Sequence, residues 1–205
     1  RRQRQMCIRD RIKHLEISPL YSFRVENNYL PVFGEGNINA EIMFIGEGPG
    51  EQEAHSGHPF VGRAGKLLDE LLDSIGLSRE EVYITNIVKD RPPRNRAPRI
   101  SEINIYKPFL IEQIEVIKPQ IIATLGRIAL RTILREFNLP FSESKISQLH
   151  GEKLKSATSY GDVTIFPLYH PAAVFYNRSL HETLVRDFQI LSLSLIHISE
   201  PTRPY

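Results

Sequence analysis

Three polar side chains stand where runs of strand-forming residues end. Glu47 follows Glu41–Ile45, Asn86 lies near the end of Val82–Val88, and His170 follows Val163–Tyr169. A carboxylate, an amide and an imidazole together supply an acceptor, a paired donor and acceptor, and a group able to give or take a proton. Such a set can read the edge of a planar base and stabilise charge developing on it. Phe60, in a loop with His55 and His58, adds a ring face for stacking. Gly46-Glu47-Gly48-Pro49-Gly50 surrounds the carboxylate with residues that let backbone come close to a ligand, stiffened by Pro49. Lys89, Arg91, Arg94, Arg96 and Arg99 share one loop in which Asp90 is the only acid, a composition suited to a phosphate backbone.

Each of these residues also has an ordinary structural reading. A glycine-rich turn after a strand is mostly just a turn, Asn86 can tie down a loop, and His170 before Pro171 can be a turn residue. Phe60 can belong to the core, and a basic loop is usually a solvated surface. The argument for a site is convergence, because strand ends on one edge of a parallel sheet meet in space. Other chemistries are set aside. Gly46–Gln52 lacks the third glycine of a dinucleotide fingerprint, Gly65-Lys66-Leu67 lacks the Ser/Thr and the spacing of a phosphate loop, and the histidines form no HExxH pair.

The elements that must position these groups follow from periodicity. Strands are expected at Glu41–Ile45, Val82–Val88, Gln120–Leu125 and Val163–Tyr169. Leu67, Leu68, Leu71, Leu72 and Ile75 form a helical stripe after Arg63, with Gly76 as its cap. Further helices are expected at Ile100–Ile117, from Gly126 to about Phe137, and at His181–Ile190, with a short turn opened by Ser78-Arg79-Glu80-Glu81. Ile12–Leu20 reads as a short amphipathic piece ended by Ser18-Pro19, Tyr21–Asn37 as irregular, and Asn138–Lys155 as a polar connector. Strands alternating with helices imply an α/β fold, a three-layer α/β/α sandwich around a central four-stranded, mainly parallel sheet.

The 205 residues suit one domain with a sizeable core, and no apolar run reaches the length of a membrane span. The basic N-terminus has no apolar stretch and so is no signal peptide, which makes the cytoplasm the expected compartment. A single cysteine, Cys7, excludes internal disulfides and all-cysteine metal sites. Both ends resemble translated sequencing adapters: RRQRQMCIRDR at residues 1–11 and LSLSLIHISEPTR from Leu191. The expected native segment is therefore 12–190. Without 1–11 and 191–205 the chain loses Arg1, Arg2, Arg4, Arg9, Arg11 and Arg203 with Asp10 and Glu200. Its 26 basic and 24 acidic residues become 20 and 22, a net of −2, so overall charge carries no argument for nucleic acid.

Across nearly all of residues 12–190 the chain resembles the family 4 uracil-DNA glycosylases. The resemblance is carried by GEGPGEQE (Gly46–Glu53), GHPFVGRAGKLLDELL (Gly57–Leu72), VYITNIVKDRPPRNRAP (Val82–Pro98), KPQIIATLGRIA (Lys118–Ala129) and YHPAAV (Tyr169–Val174), in order. It implies a DNA repair hydrolase that flips uracil out of DNA and cleaves its N-glycosidic bond. By match, Phe60 stacks on the uracil, Asn86 bonds its edge, and Glu47 positions or activates the water. His170 donates to uracil O2, with backbone N–H groups of the turn, Gly48 among them, at the substrate. Lys89, Arg91, Arg94 and Arg96 are expected on the DNA backbone, and Val174 or Phe175 to wedge the duplex. The partner implied is uracil-containing DNA, met by a monomer with no membrane association.

One departure is large. The family holds an iron–sulfur cluster on four cysteines, and the matching positions here are Leu15, Ser18, Asp90 and Tyr106. The expectation is no cofactor, with these residues packing in place of the cluster. A smaller departure is Ala54, where the family commonly has an acid. Two alternatives stay open: a DNA-binding relative without turnover, and a glycosylase for another base such as hypoxanthine or a mismatched thymine.

Overall fold

The computed structural model describes residues 1–141 and 143–199. In chain order the helices are α1 (Arg2–Lys13), α2 (Pro19–Glu26), α3 (Glu51–Ser56), α4 (Arg63–Asp73), α5 (Ile100–Ile117), α6 (Arg127–Glu136), α7 (Ile146–Leu149) and α8 (Leu180–Ser199). The strands are β1 (Glu35–Gly36), β2 (Ile42–Gly46), β3 (Tyr83–Asn86), β4 (Ile121–Leu125), β5 (Leu154–Thr158) and β6 (Gly161–Leu168). They form one sheet in the order β1-β3-β2-β4-β6-β5.

The four inner strands are parallel, as the alternation of strands and helices requires, and an antiparallel strand is added at each edge. Buried on both faces, β2 and β4 read as near-continuous apolar runs, broken only by Thr124, whose side chains go to opposite sides in turn. Met43 and Ile45 join a core cluster with Ile8, Leu20, Leu110 and Ile133. Ile42 and Phe44 join another with Leu68, Leu72, Leu184 and Phe188. Two cores on either side of one sheet make the three layers. Chain direction along the sheet reverses at β2, between β3 and β4, and in such sheets the crevice at the strands' C-terminal ends is the ligand site.

Several local expectations are corrected. Ser18-Pro19 opens a helix instead of ending one. Ser18 Oγ accepts the Leu20 N–H at 3.2 Å, and Pro19 occupies the first turn, where a missing N–H costs nothing. The first part of the segment expected to be irregular, residues 21–26, is therefore helical. The polar connector contains α7 and, in its last two residues, the start of the edge strand β5, whose alternating partly buried and exposed residues left no apolar signal. Ser78 and Glu81 make the expected capping bonds, Glu81 Oε2 accepting from Ser78 N at 2.7 Å and Ser78 Oγ at 3.0 Å, but they close a turn that feeds directly into β3. At the ends, α1 and α8 run across the expected boundaries at 12 and 190. Ile8 and Leu191 are core residues, and 200–205 lie outside the described residues.

Candidate active site

The residues singled out by type come together. A cleft of about 410 Å³ at the C-terminal edge of the parallel strands is lined by Glu47, Gly48, Phe60, Asn86 and His170, with Tyr176 at its side. Glu47 follows β2, Asn86 ends β3, and His170 follows β6, so three strands deliver one group each. Gly46 makes this close approach possible. A Cβ there would lie 2.4 Å from Asn86 Oδ1 and 2.6 Å from the Phe60 ring.

Asn86 is buried, and its backbone carbonyl accepts from Lys89 Nζ at 2.7 Å. Its side-chain Oδ1 is buried with no hydrogen-bond partner. Gln5 Nε2, Thr124 Oγ1 and Arg131 Nε share that condition among the described residues, but none of the three lines the cleft. Phe60 is both core and wall. It packs in the cluster with Phe44, and its ring faces the His170 imidazole at 5.7 Å with 28° between planes.

His170 opens the helical turn Pro171–Phe175, and its Nδ1 accepts the Ala172 N–H at 3.1 Å. A ring nitrogen that accepts from a backbone amide carries no proton, so the neutral ring holds its proton on Nε2. Burial pushes the imidazole down to about 4, against a smaller opposing pull from Glu53, so it is uncharged at neutral pH. The Glu47 carboxyl is raised by burial, with Arg127 partly offsetting the effect.

The basic loop is not the open surface expected. Lys89 is fully buried and donates to Thr85 Oγ1, Asn86 O and Gln113 Oε1 at 2.6–2.7 Å, so it cannot reach a phosphate. Its ammonium has turned inward to brace the strand that carries Asn86. Arg91 is mostly buried and donates to the Tyr29 hydroxyl and Asn95 Oδ1. Arg96 is paired with Glu102 at 2.6 Å, whereas Arg94 is exposed at a backbone φ of +56°. Val174, one of two expected wedge residues, belongs to the core, while Phe175 lies under the Arg63 guanidinium and Tyr176 is 94% exposed.

Two residues that hold the site were not singled out in sequence. Glu53 Oε1 accepts the N–H groups of Val61 and Gly62 at 2.9 and 2.8 Å, and Arg79 donates to the carbonyls of Pro59 and Phe60. Glu53 lies one helical turn after the glycine-proline turn, a weak cue that it faces the same cleft. Nothing marks Arg79, whose partners are 10 to 44 residues away.

Leu15, Ser18, Asp90 and Tyr106 gather at the corner where α2, the loop after β3 and α5 meet. Asp90 Oδ2 accepts from the Tyr106 hydroxyl at 2.5 Å, and Oδ1 accepts from Arg24 Nη1 at 3.0 Å. Arg24 also donates to the carbonyls of Ile12 and Lys13, Ser18 Oγ is taken up by the Leu20 N–H, and Leu15 packs against the adjacent core. An iron–sulfur cluster takes thiolates. An aliphatic chain, two hydroxyls and a carboxylate already committed to Arg24 and Tyr106 do not fit it. Among the described residues no group of three or more His, Cys, Asp or Glu could hold a metal ion, and no helix is long and apolar enough to cross a membrane.

A parallel sheet with a cleft at its switch point, an amide, an imidazole and a carboxylate at the strand ends and an aromatic wall fit a base-handling enzyme, and residues 33–189 match the Uracil DNA glycosylase superfamily. This chain belongs to that superfamily. Within it the chain is similar to the Type-4 uracil-DNA glycosylase of Saccharolobus solfataricus, 46% identical over 89% of this chain and 82% of the relative. It is also similar to the Type-4 uracil-DNA glycosylase of Archaeoglobus fulgidus, 45% identical over 81% of each chain. The Type-4 uracil-DNA glycosylase of Thermotoga maritima is 40% identical over 89% of this chain and 90% of its own.

Proposed function

We propose that this protein is a DNA repair glycosylase that hydrolyses the N-glycosidic bond of uracil flipped out of DNA. The observation that carries the reading is Asn86 Oδ1, an acceptor buried in the cleft with nothing to accept from. Such an atom costs about 1–3 kcal/mol until a donor meets it. Uracil brings an N–H at N3 between two carbonyls, whereas cytosine brings a lone pair there and is repelled. Asn86 thereby selects the base, and Phe60 supports its face.

Breaking the bond between C1′ and N1 sends its electron pair onto uracil. The His170 Nε2–H donates to O2 and stabilises that anion, and the backbone N–H groups near Gly48 add to the field. A neutral imidazole suits the task, because its Nε2–H bonds the anion without the ring first having to take a proton from bulk. Water adds at C1′, and Glu47, raised by its burial, orients it and takes its proton. Arg96, which lines the cleft, and the exposed Arg94 in the same loop meet phosphates, Arg91 supports that loop, and Phe175 and Tyr176 face the duplex. The segment that carries the site is residues 12–190, working as a cytoplasmic monomer without an iron–sulfur cluster; the adapter-like ends, 1–11 and 191–205, add core packing through Ile8 and Leu191 but no cleft residue.

The test is base release by the full chain from uracil-containing oligonucleotides, single- and double-stranded, followed by alkali to cut abasic sites. Cutting that depends on uracil and falls by about 10–100-fold in Asn86→Ala is the expected result. DNA binding with no base release by the folded protein would sink the enzymatic reading. Hypoxanthine presents a similar N–H and carbonyl edge, so a hypoxanthine oligonucleotide in the same assay fixes the preferred base.

A further inference from the structure

Phe60 has a backbone φ of +51°, a region that side chains other than glycine rarely adopt and that persists only when the surroundings impose it. The surroundings here are specific. Two peptide planes flank Phe60. Arg79 Nη2 donates to Pro59 O at 2.6 Å, which holds the first plane. The second is held at both ends, by Arg79 Nη1 donating to Phe60 O at 2.9 Å and by Glu53 Oε1 accepting the Val61 N–H at 2.9 Å. A peptide unit is rigid, so holding both planes fixes φ and ψ at the residue between them. The guanidinium is in turn fixed by Asp69 Oδ1 at 2.8 Å and Glu35 Oε1 at 3.1 Å. Gly65 leaves the space the clamp needs, since a Cβ there would fall 1.8 Å from Phe60 O.

The ring direction follows from that backbone. The clamp sets the Phe60 ring against Gly46 and into the wall of the cleft that Asn86 and His170 also line. Arg79 does not line the cleft itself. We infer that Arg79 is a positioning residue for base recognition, holding Phe60 in a strained conformation so that its ring forms the base-stacking wall. The inference rests on the reading of Phe60 as the surface that meets the base.

A residue acting this way affects base binding and leaves contacts to the DNA backbone alone. The test uses the full chain with Arg79→Met, Arg79→Lys and Asp69→Asn. It measures kcat and KM on a uracil oligonucleotide, inhibition by free uracil, and affinity for an abasic duplex, which has no base to stack. Arg79→Met is expected to raise KM and the uracil inhibition constant together by about tenfold, the scale of a lost base–aromatic stack. Abasic affinity stays within about twofold, because phosphate contacts are untouched. Arg79→Lys recovers part of the loss, since an ammonium can reach one carbonyl but not fork across two. Asp69→Asn loosens the guanidinium without removing it. It shifts both constants the same way by about twofold and serves if Arg79→Met does not fold. Unchanged KM and uracil inhibition, or an equal loss of abasic affinity, would overturn the inference. Should the wild-type chain release no uracil, the functional reading fails by itself. The clamp is then scored by the amide–α-proton coupling of Phe60 and the exchange of the Val61 and Gly62 amides. Both must change in Arg79→Met or Asp69→Asn, and values equal to wild type would refute it.

Discussion

In the cleft, Asn86 Oδ1 is buried without a partner, and the His170 imidazole, its Nδ1 occupied by a backbone amide, holds its proton outward on Nε2. At the corner of α2 and α5, Asp90 is equally buried, yet both its oxygens are used, one by Arg24 and one by Tyr106, and Arg24 goes on to two backbone carbonyls. Low dielectric strengthens every bond in the corner and penalises every unmade bond in the cleft. The satisfied network holds the fold together, and the unsatisfied one is the part that the proposed function assigns to binding.

The contrast is breakable by substitution. Asp90→Ala should have the largest effect, leaving Arg24 buried without its counter-ion at a cost of about 3–5 kcal/mol of folding stability. Urea unfolding measures it, and the rate per folded molecule should not move. A wild-type midpoint would show that the corner is not the brace inferred from its contacts. His170→Ala should do the reverse, lowering kcat by about 10²–10³-fold with little change in melting temperature at neutral pH.

The same histidine makes stability depend on pH. Its folded value of about 4 lies below the ordinary 6.5, so between those pH values the unfolded chain binds a proton that the folded chain refuses. The contribution is fully present above 6.5 and is lost as pH falls through that window, at most about 3 kcal/mol in all. Denaturant melts from pH 7 to 4 would show the slope, and His170→Ala should flatten it. Asn86→Ala should lower kcat/KM on uracil DNA by about 10–100-fold, the worth of one buried hydrogen bond to the base. Smallest is Tyr106→Phe, about 1 kcal/mol of stability with unaltered base release, seen by the same urea titration.

The inner sheet was legible because β2 and β4 are buried on both faces and α4 carries its stripe at helical spacing, so burial wrote itself into composition. Glu47, Asn86 and His170 were legible because strand ends have a fixed place in this architecture. Lys89 was not. A lysine among arginines reads as surface, and only the folded chain brings Thr85, Asn86 O and Gln113 around its ammonium. Arg79 was invisible for a related reason, since its role lies in backbone carbonyls that carry no residue type. β5 escaped because an edge strand with alternating exposure has the composition of a loop.

Gly46 touches what would become the amide on one side and the aromatic wall on the other, with no room for even a methyl group. Positions 46, 60 and 86 are therefore epistatic: a change at the first alters the consequence of changes at the other two. A route from one preferred base to another cannot begin at 46. A larger residue at 46 has to follow a change at 60 or 86 that makes room for it, and a library that varies 46 alone would find only losses.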